Sequence, residues 1–149
     1  MITIKDIVME PNEDSGYAFN HGYINKPLKI FGQLRFEEKE ERLGLTLPKK
    51  VKAEEVLDKL KVYLQWLEDC KEELTAFYKS EFEYDIREYF DGEMTPDWFD
   101  TLEVYSGTVS LGENGTFGAD FSTGDNMDED HLLIIEIDGK EIISMWHDG

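Results

Sequence analysis

The segment that most restricts the fold is HLLIIEIDGKEIISMW, residues 131–146. Two apolar runs flank Asp138-Gly139, a dipeptide suited to a type I′ turn, so the segment predicts a β-hairpin. With that turn at its centre, Ile137 faces Lys140, Ile135 faces Ile142, Leu133 faces Ser144, and His131 faces Trp146. Asp130 then lies opposite His147. Leu133, Ile135, Ile142 and Trp146 fall on one face, and Leu132, Ile134, Ile143 and Met145 on the other. A hairpin that is apolar on both faces reads as two central strands covered on both sides.

A second hairpin precedes it. LEVYSGTVSL and TFGADFS flank the glycine-bearing GENG. Near the N-terminus, MITIKDIVM reads as a first strand. EPNEDSGYAFNHGYINKP collects turn formers and reads as a loop with room for a short ribbon. LKIFGQLRF and RLGLTLP read as two strands joined by the charged turn EEKEE, with Leu43, Leu45 and Leu47 on one face at period two.

Between these β regions the period changes. Val56, Leu60, Tyr63, Leu67, Cys70, Leu74 and Phe77 recur at alternating spacings of four and three, which predicts a long helix. Leu57, Leu64, Trp66 and Tyr78 widen the stripe beyond a coiled-coil seam, so the helix is expected to pack on a sheet. The register slips to Tyr78, Phe82, Ile86 and Tyr89, which places a bend near residues 79–83. Thr95 and Pro96 have the form of a cap and first residue of another short helix. The expected architecture is a single α+β domain over 1–149. It has a mostly antiparallel sheet, a long central helix, and one or two shorter helices packed on it.

Charge is the outlier. Thirty-four acidic and fifteen basic residues give a net charge of -19, unevenly spread: +1 over 1–52, -6 over 53–90 and -14 over 91–149. No Lys or Arg stands between Arg87 and Lys140. Such a field repels nucleic acid and anionic membrane and attracts basic proteins. No apolar run approaches the length of a membrane span. The N-terminus lacks the pattern of a signal peptide, and the single cysteine, Cys70, allows no internal disulfide. A cytoplasmic location is expected.

The acidic turn GDNMDEDH contains the best candidates for a metal site. Asp125, Asp128, Asp130 and His131 offer oxygen and imidazole ligands, but their spacing fits no EF-hand. The competing use is structural, through the Asp130–His147 pair at the end of the hairpin. Cys70 lies on the apolar helix stripe and reads as a buried thiol. Ser106, Ser110, Ser122 and Ser144 lie on strands with no nucleophile elbow, and GENGTFG joins strands rather than opening a helix. No catalytic constellation or cofactor motif emerges. Trp98 and Phe99, between Asp97 and Asp100, are either core residues or an exposed aromatic anchor among carboxylates.

The strand pair, the turn ending DEDH, the strand LLIIEI and the DGKEI that follows resemble several bacterial domain-of-unknown-function families. Some of these are grouped with candidate immunity proteins of polymorphic toxin systems. The resemblance covers about the last third of the chain, and Leu132 stands where those families usually have glycine. It implies a small, acidic, non-enzymatic α+β protein and transfers no catalytic residue. Together with the charge it suggests a basic partner, such as a toxin nuclease, bound through Asp97, Trp98, Asp100, Asp125, Asp128 and Glu129. A cation-dependent protein or hydrolase built on the acidic turn is the alternative, and a homodimer through the long helix is open.

Overall fold

The computed structural model describes residues 1–11 and 18–148. Nine strands and three helices run in the order β1 (Ile7–Glu10), β2 (Phe19–Ile24), β3 (Leu28–Ile30), β4 (Gln33–Arg35), β5 (Leu43–Pro48), α1 (Ala53–Asp69), α2 (Lys71–Glu81), α3 (Glu83–Tyr89), β6 (Glu103–Leu111), β7 (Phe117–Gly124), β8 (Leu132–Asp138) and β9 (Glu141–Asp148). Seven strands form one sheet in the order β1-β2-β5-β6-β7-β8-β9, and β3 and β4 form a separate hairpin. Every pairing in the large sheet is antiparallel except β5 with β6. A parallel pair needs a crossover, and here the three helices supply it. No helix among the described residues is long and apolar enough to cross a membrane.

Side chains alternate along the strands, with the inner face buried under the helices and the outer face open. Leu45, Val109, Phe121, Leu133 and Ile135 from that inner face meet Leu60, Leu67 and Leu74 from the helices. The mixed α and β architecture agrees with expectation; several of its parts do not. The first strand is shorter than MITIKDIVM suggests, because the Asp6 carboxylate accepts the Thr3 N–H at 2.8 Å and winds Ile4–Asp6 into a 3-10 turn. In the expected N-terminal loop, Phe19–Ile24 is strand β2, paired on both sides. Residues 12–17 of that loop lie outside the described residues.

LKIFGQLRF is not one strand but the β3–β4 hairpin, turning at Phe31 and Gly32 with φ of 50° and 77°. A β-branched or aromatic residue rarely enters this left-handed region. Phe31 is held there by complete burial, edge-on to Phe121 with ring centroids 5.0 Å apart and to Phe99 at 6.3 Å. The same turn explains why the helical stripe does not form one helix. The Phe31 and Gly32 N–H groups donate to the Leu67 and Glu68 carbonyls, each at 3.0 Å. Those are the acceptors that residues 71 and 72 would use in an unbroken helix. The chain therefore breaks at Cys70 (φ -86°, ψ 31°), and α2 begins at Lys71. The one bend expected, near residues 79–83, falls at Phe82, between α2 and α3.

Arg35 fastens this hairpin to the sheet. Its side chain is 9% exposed and donates to the carbonyls of Ile30 (3.0 Å), Phe31 (3.3 Å) and Leu102 (2.7 Å). Burial lowers its pKa, and nearby Glu103 raises it in part. Arg35→Ala strands buried acceptors, and we expect it to lower stability by about 3 kcal/mol in urea denaturation. Arg35→Lys should recover only part of this, because one ammonium cannot span three carbonyls.

The C-terminal hairpin forms, but in another register. Gly139 N–H donates to the Phe117 carbonyl of β7 at 3.0 Å, which keeps Asp138 in the strand, opposite Glu141. A shift after Ile142 then leaves Ile143 without a partner residue. Beyond it Ile135 faces Met145, Ile134 faces Trp146 and Leu133 faces His147. One residue of slip moves side chains to the other face. Trp146 is therefore on the open face and Met145 is in the core. Asp130 has no place opposite His147. Nor is the hairpin central: β9 is an edge strand, and only its inner face is covered.

Candidate acidic cleft

The 91–102 connection delivers Trp98 to the core rather than to solvent. Asp97 sits in the left-handed region at φ 62°, which interrupts the helix expected after Thr95 and leaves only a 3-10 turn at Phe99–Thr101. Trp98 is 3% exposed and packs on Tyr78 with ring centroids 4.6 Å apart. Its Nε1–H donates to Asp125 Oδ2 at 2.7 Å. The pairing gives a buried indole and a buried carboxylate what each needs. Trp98 is therefore no aromatic anchor for a partner. Burial first, then the Asp125 charge beside it, raises the pKa of the Tyr78 hydroxyl far above its ordinary value.

Asp125 in turn organises the loop after β7. Its Oδ1 accepts the Asp128 N–H at 3.2 Å. Asp128 Oδ1 accepts the Asp130 N–H at 3.2 Å, and His131 Nδ1 lies 3.0 Å from both oxygens of the same carboxylate. An ionised carboxylate only accepts, so the imidazole donates from Nδ1. Thr95 Oγ1, 2.7 Å from Asn126 Oδ1, ties the loop to the 91–102 connection. The acid–imidazole pair expected between Asp130 and His147 forms instead between Asp128 and His131. His147 itself turns inward, 4.7 Å from the Phe82 ring.

The result is a cleft of about 520 Å³ at the end of the sheet. Glu103, Asp125, Asp128, Glu129, Asp130 and Asp148 line it, with His131, Tyr105 and Leu132. It contains six carboxylates and no Lys or Arg. The spacing of Asp125, Asp128 and Glu129 within one turn made their proximity legible. Glu103 and Asp148 come from strands distant in sequence, and only the sheet order could have revealed them. Asp97 does not join this group. It lines a separate cleft of about 740 Å³ with Lys71, Lys79 and Arg87, three of the four basic residues after Lys61. Asp100 is exposed and lines neither cleft; its backbone carbonyl accepts Gln33 Nε2–H at 2.6 Å.

The oxygens of Asp125 and Asp128 are committed to the indole, the loop amides and His131. Among the described residues no group of three or more His, Cys, Asp or Glu is placed to hold a metal ion. Cys70 is fully buried, its Sγ 3.5 Å from the Leu67 carbonyl. Burial, with Glu73 and Asp69 nearby, pushes the thiol up to about 12, which keeps it protonated and unreactive at neutral pH.

A second group of acids lies on the open sheet face. Asp120 of β7 and Glu136 of β8 are direct cross-strand partners, and Asp138 and Glu141 pair beside them. Burial first, then the Glu136 charge, holds the Asp120 carboxyl above the usual carboxylate range. The chain matches no family model, no curated protein and no solved structure. Geometry and charge therefore carry the functional reading.

Two titrations check this electrostatic description. For Asp128, burial works upward, but bonds from His131 and the Asp130 amide, with the nearby imidazoles, outweigh it and hold the carboxyl below its ordinary range. The folded chain then binds this proton less tightly than the unfolded chain. The loop stabilisation is full at neutral pH and is lost as pH falls through the depressed value. Protection of the Asp130 amide, relative to its intrinsic exchange rate, should fall there, and Asp128→Asn should remove the transition. For Asp120 the sign is opposite: its raised pKa means that ionisation costs stability above that value. Asp120→Asn should raise stability at pH 7 by about 0.5 kcal/mol, as for a relieved cross-strand pair. In urea unfolding the gain should shrink as pH falls into the carboxylate range.

Proposed function

We propose that this chain is a non-catalytic binding protein whose acidic cleft and adjoining sheet face engage a basic protein. One observation carries the reading: six carboxylates from β6, the 124–131 loop and β9 converge on one cleft without a single Lys or Arg. Like charges gathered in this way cost free energy in the isolated protein. A cationic partner repays that cost, and the field speeds encounter. Capture of a basic toxin nuclease by an immunity protein is the specific form that the resemblance of the C-terminal third suggests. Blocking a cationic nucleic-acid site needs a negative surface, and it needs no chemistry from the blocker. Glu103, Glu129, Asp130 and Asp148 are the exposed carboxylates that would meet the partner. Asp125 and Asp128 shape the loop that presents them.

The test is titration of ¹⁵N-labelled protein with a ten-residue oligolysine at low salt. Shifts should concentrate at 125–131, Glu103 and Asp148, and affinity should fall steeply with added salt. The triple variant Glu129→Gln, Asp130→Asn, Asp148→Asn should bind on the order of tenfold more weakly. Shifts spread evenly over all acidic positions, or an unchanged affinity in the triple variant, would overturn the reading.

A further inference from the structure

The cleft does not end at its carboxylates. Nine large apolar side chains are exposed among the described residues, and three of them border this one region: Tyr105 (50%), Leu132 (39%) and Trp146 (41%). Tyr105 and Leu132 line the cleft itself. Trp146 is the direct cross-strand neighbour of half-buried Ile134, and Leu132 is the next outward residue of the same strand. Exposed Ile143, left unpaired immediately before Ser144, lies farther along β9, beyond the Glu136–Ser144 pair. The open face of β8–β9 therefore carries an apolar strip that runs into the acidic cleft.

We infer that Trp146 and its neighbours Leu132 and Ile134 are the desolvating anchor of the interface, and that their occupant is a basic surface or segment interleaving Lys or Arg with apolar residues. This rests on the proposed acidic binding function and specifies its partner. A rigid indole at the edge of a sheet offers a large contact area at little entropic cost, and such residues dominate binding energy where they are desolvated. Charge selects the occupant. Asp148 borders the strip at the cleft, and Glu136, Asp138 and Glu141 border it along the open face. A second copy of this chain would bring the same acids against them, together with its own net charge of -19. A basic amphipathic partner covers the apolar strip and neutralises its border at once.

Two ten-residue peptides of equal charge separate the contributions: alternating lysine–leucine and alternating lysine–serine. Calorimetric titration should show the leucine peptide binding about tenfold tighter. That advantage should vanish in Trp146→Ala and shrink in Leu132→Ser, while the serine peptide is unaffected by either variant. Both peptides should weaken alike in the triple carboxylate variant. Trp146 is exposed, so its truncation leaves the core intact, which urea unfolding of the variant checks. Equal affinities for the two peptides, or a leucine advantage that survives Trp146→Ala, would overturn the anchor while leaving the acidic cleft in place. Binding of neither peptide would overturn both. A dimer at micromolar concentration that Trp146→Ala dissolves would assign the strip to a second copy and also overturn the inference.

Discussion

The architecture depends on how one short turn meets the end of a helix. Phe31 and Gly32 place two N–H groups against the Leu67 and Glu68 carbonyls and so end α1 where the apolar pattern alone would continue it. The redirected chain becomes α2, which reaches β9 through Tyr78 and carries Phe82 to His147. Arg35 closes the arrangement by joining that turn to Leu102, the residue that leads into β6. A guanidinium is suited to this because its donors diverge in a plane, and backbone carbonyls satisfy it without a buried counter-ion. The entry to β6 then fixes Glu103, a wall of the acidic cleft. The cleft is thus positioned from a hairpin nearly seventy residues earlier in the chain.

The charge of the protein divides into parts that serve different ends. Asp6, Asp125 and Asp128 accept backbone N–H groups and hold local turns. Glu83, Glu93 and Asp97 share a cleft with Lys71, Lys79 and Arg87 and are compensated there. A further group gathers without such compensation: Glu103, Glu129, Asp130 and Asp148 in the acidic cleft, and Asp120, Glu136, Asp138 and Glu141 on the open sheet face. Solubility does not require opposed carboxylates on neighbouring strands, since dispersed charge achieves the same end without local repulsion. Cross-strand pairing of Asp120 with Glu136 is a strain that the sheet tolerates, and a cationic partner would relieve it.

Much of the β structure was legible because side-chain alternation survives in the sequence. Leu43, Leu45 and Leu47 gave β5, and both C-terminal hairpins form from the segments expected, the last with its turn displaced by one residue. The helix stripe gave the buried face correctly, since Leu60, Leu67, Cys70 and Leu74 are all buried, yet it could not show the break at Cys70. That break is imposed by amides from residues 31 and 32, and no local pattern records a tertiary hydrogen bond. Trp98 illustrates the same limit. Flanking aspartates suggest exposure, but the carboxylate that decides its fate is Asp125, 27 residues away.

The register of the last hairpin has the largest functional consequence of these tertiary effects. An Asp-Gly pair favours a two-residue turn at 138–139, which would bury Trp146 beside Leu133 and Ile135. Instead the Gly139 amide is recruited by Phe117, Asp138 remains in the strand, and the irregularity at Ile143 absorbs the difference. Met145 then fills the core position, for which a flexible thioether is well suited. Trp146 is left facing outward with Ile134, beside Leu132 and Asp148. An exposed aromatic among carboxylates, one of the two readings open for Trp98, is found instead at Trp146, placed there by a backbone hydrogen bond to a neighbouring strand. A single N–H group on the turn therefore decides that Trp146 belongs to the surface beside the acidic cleft and not to the core.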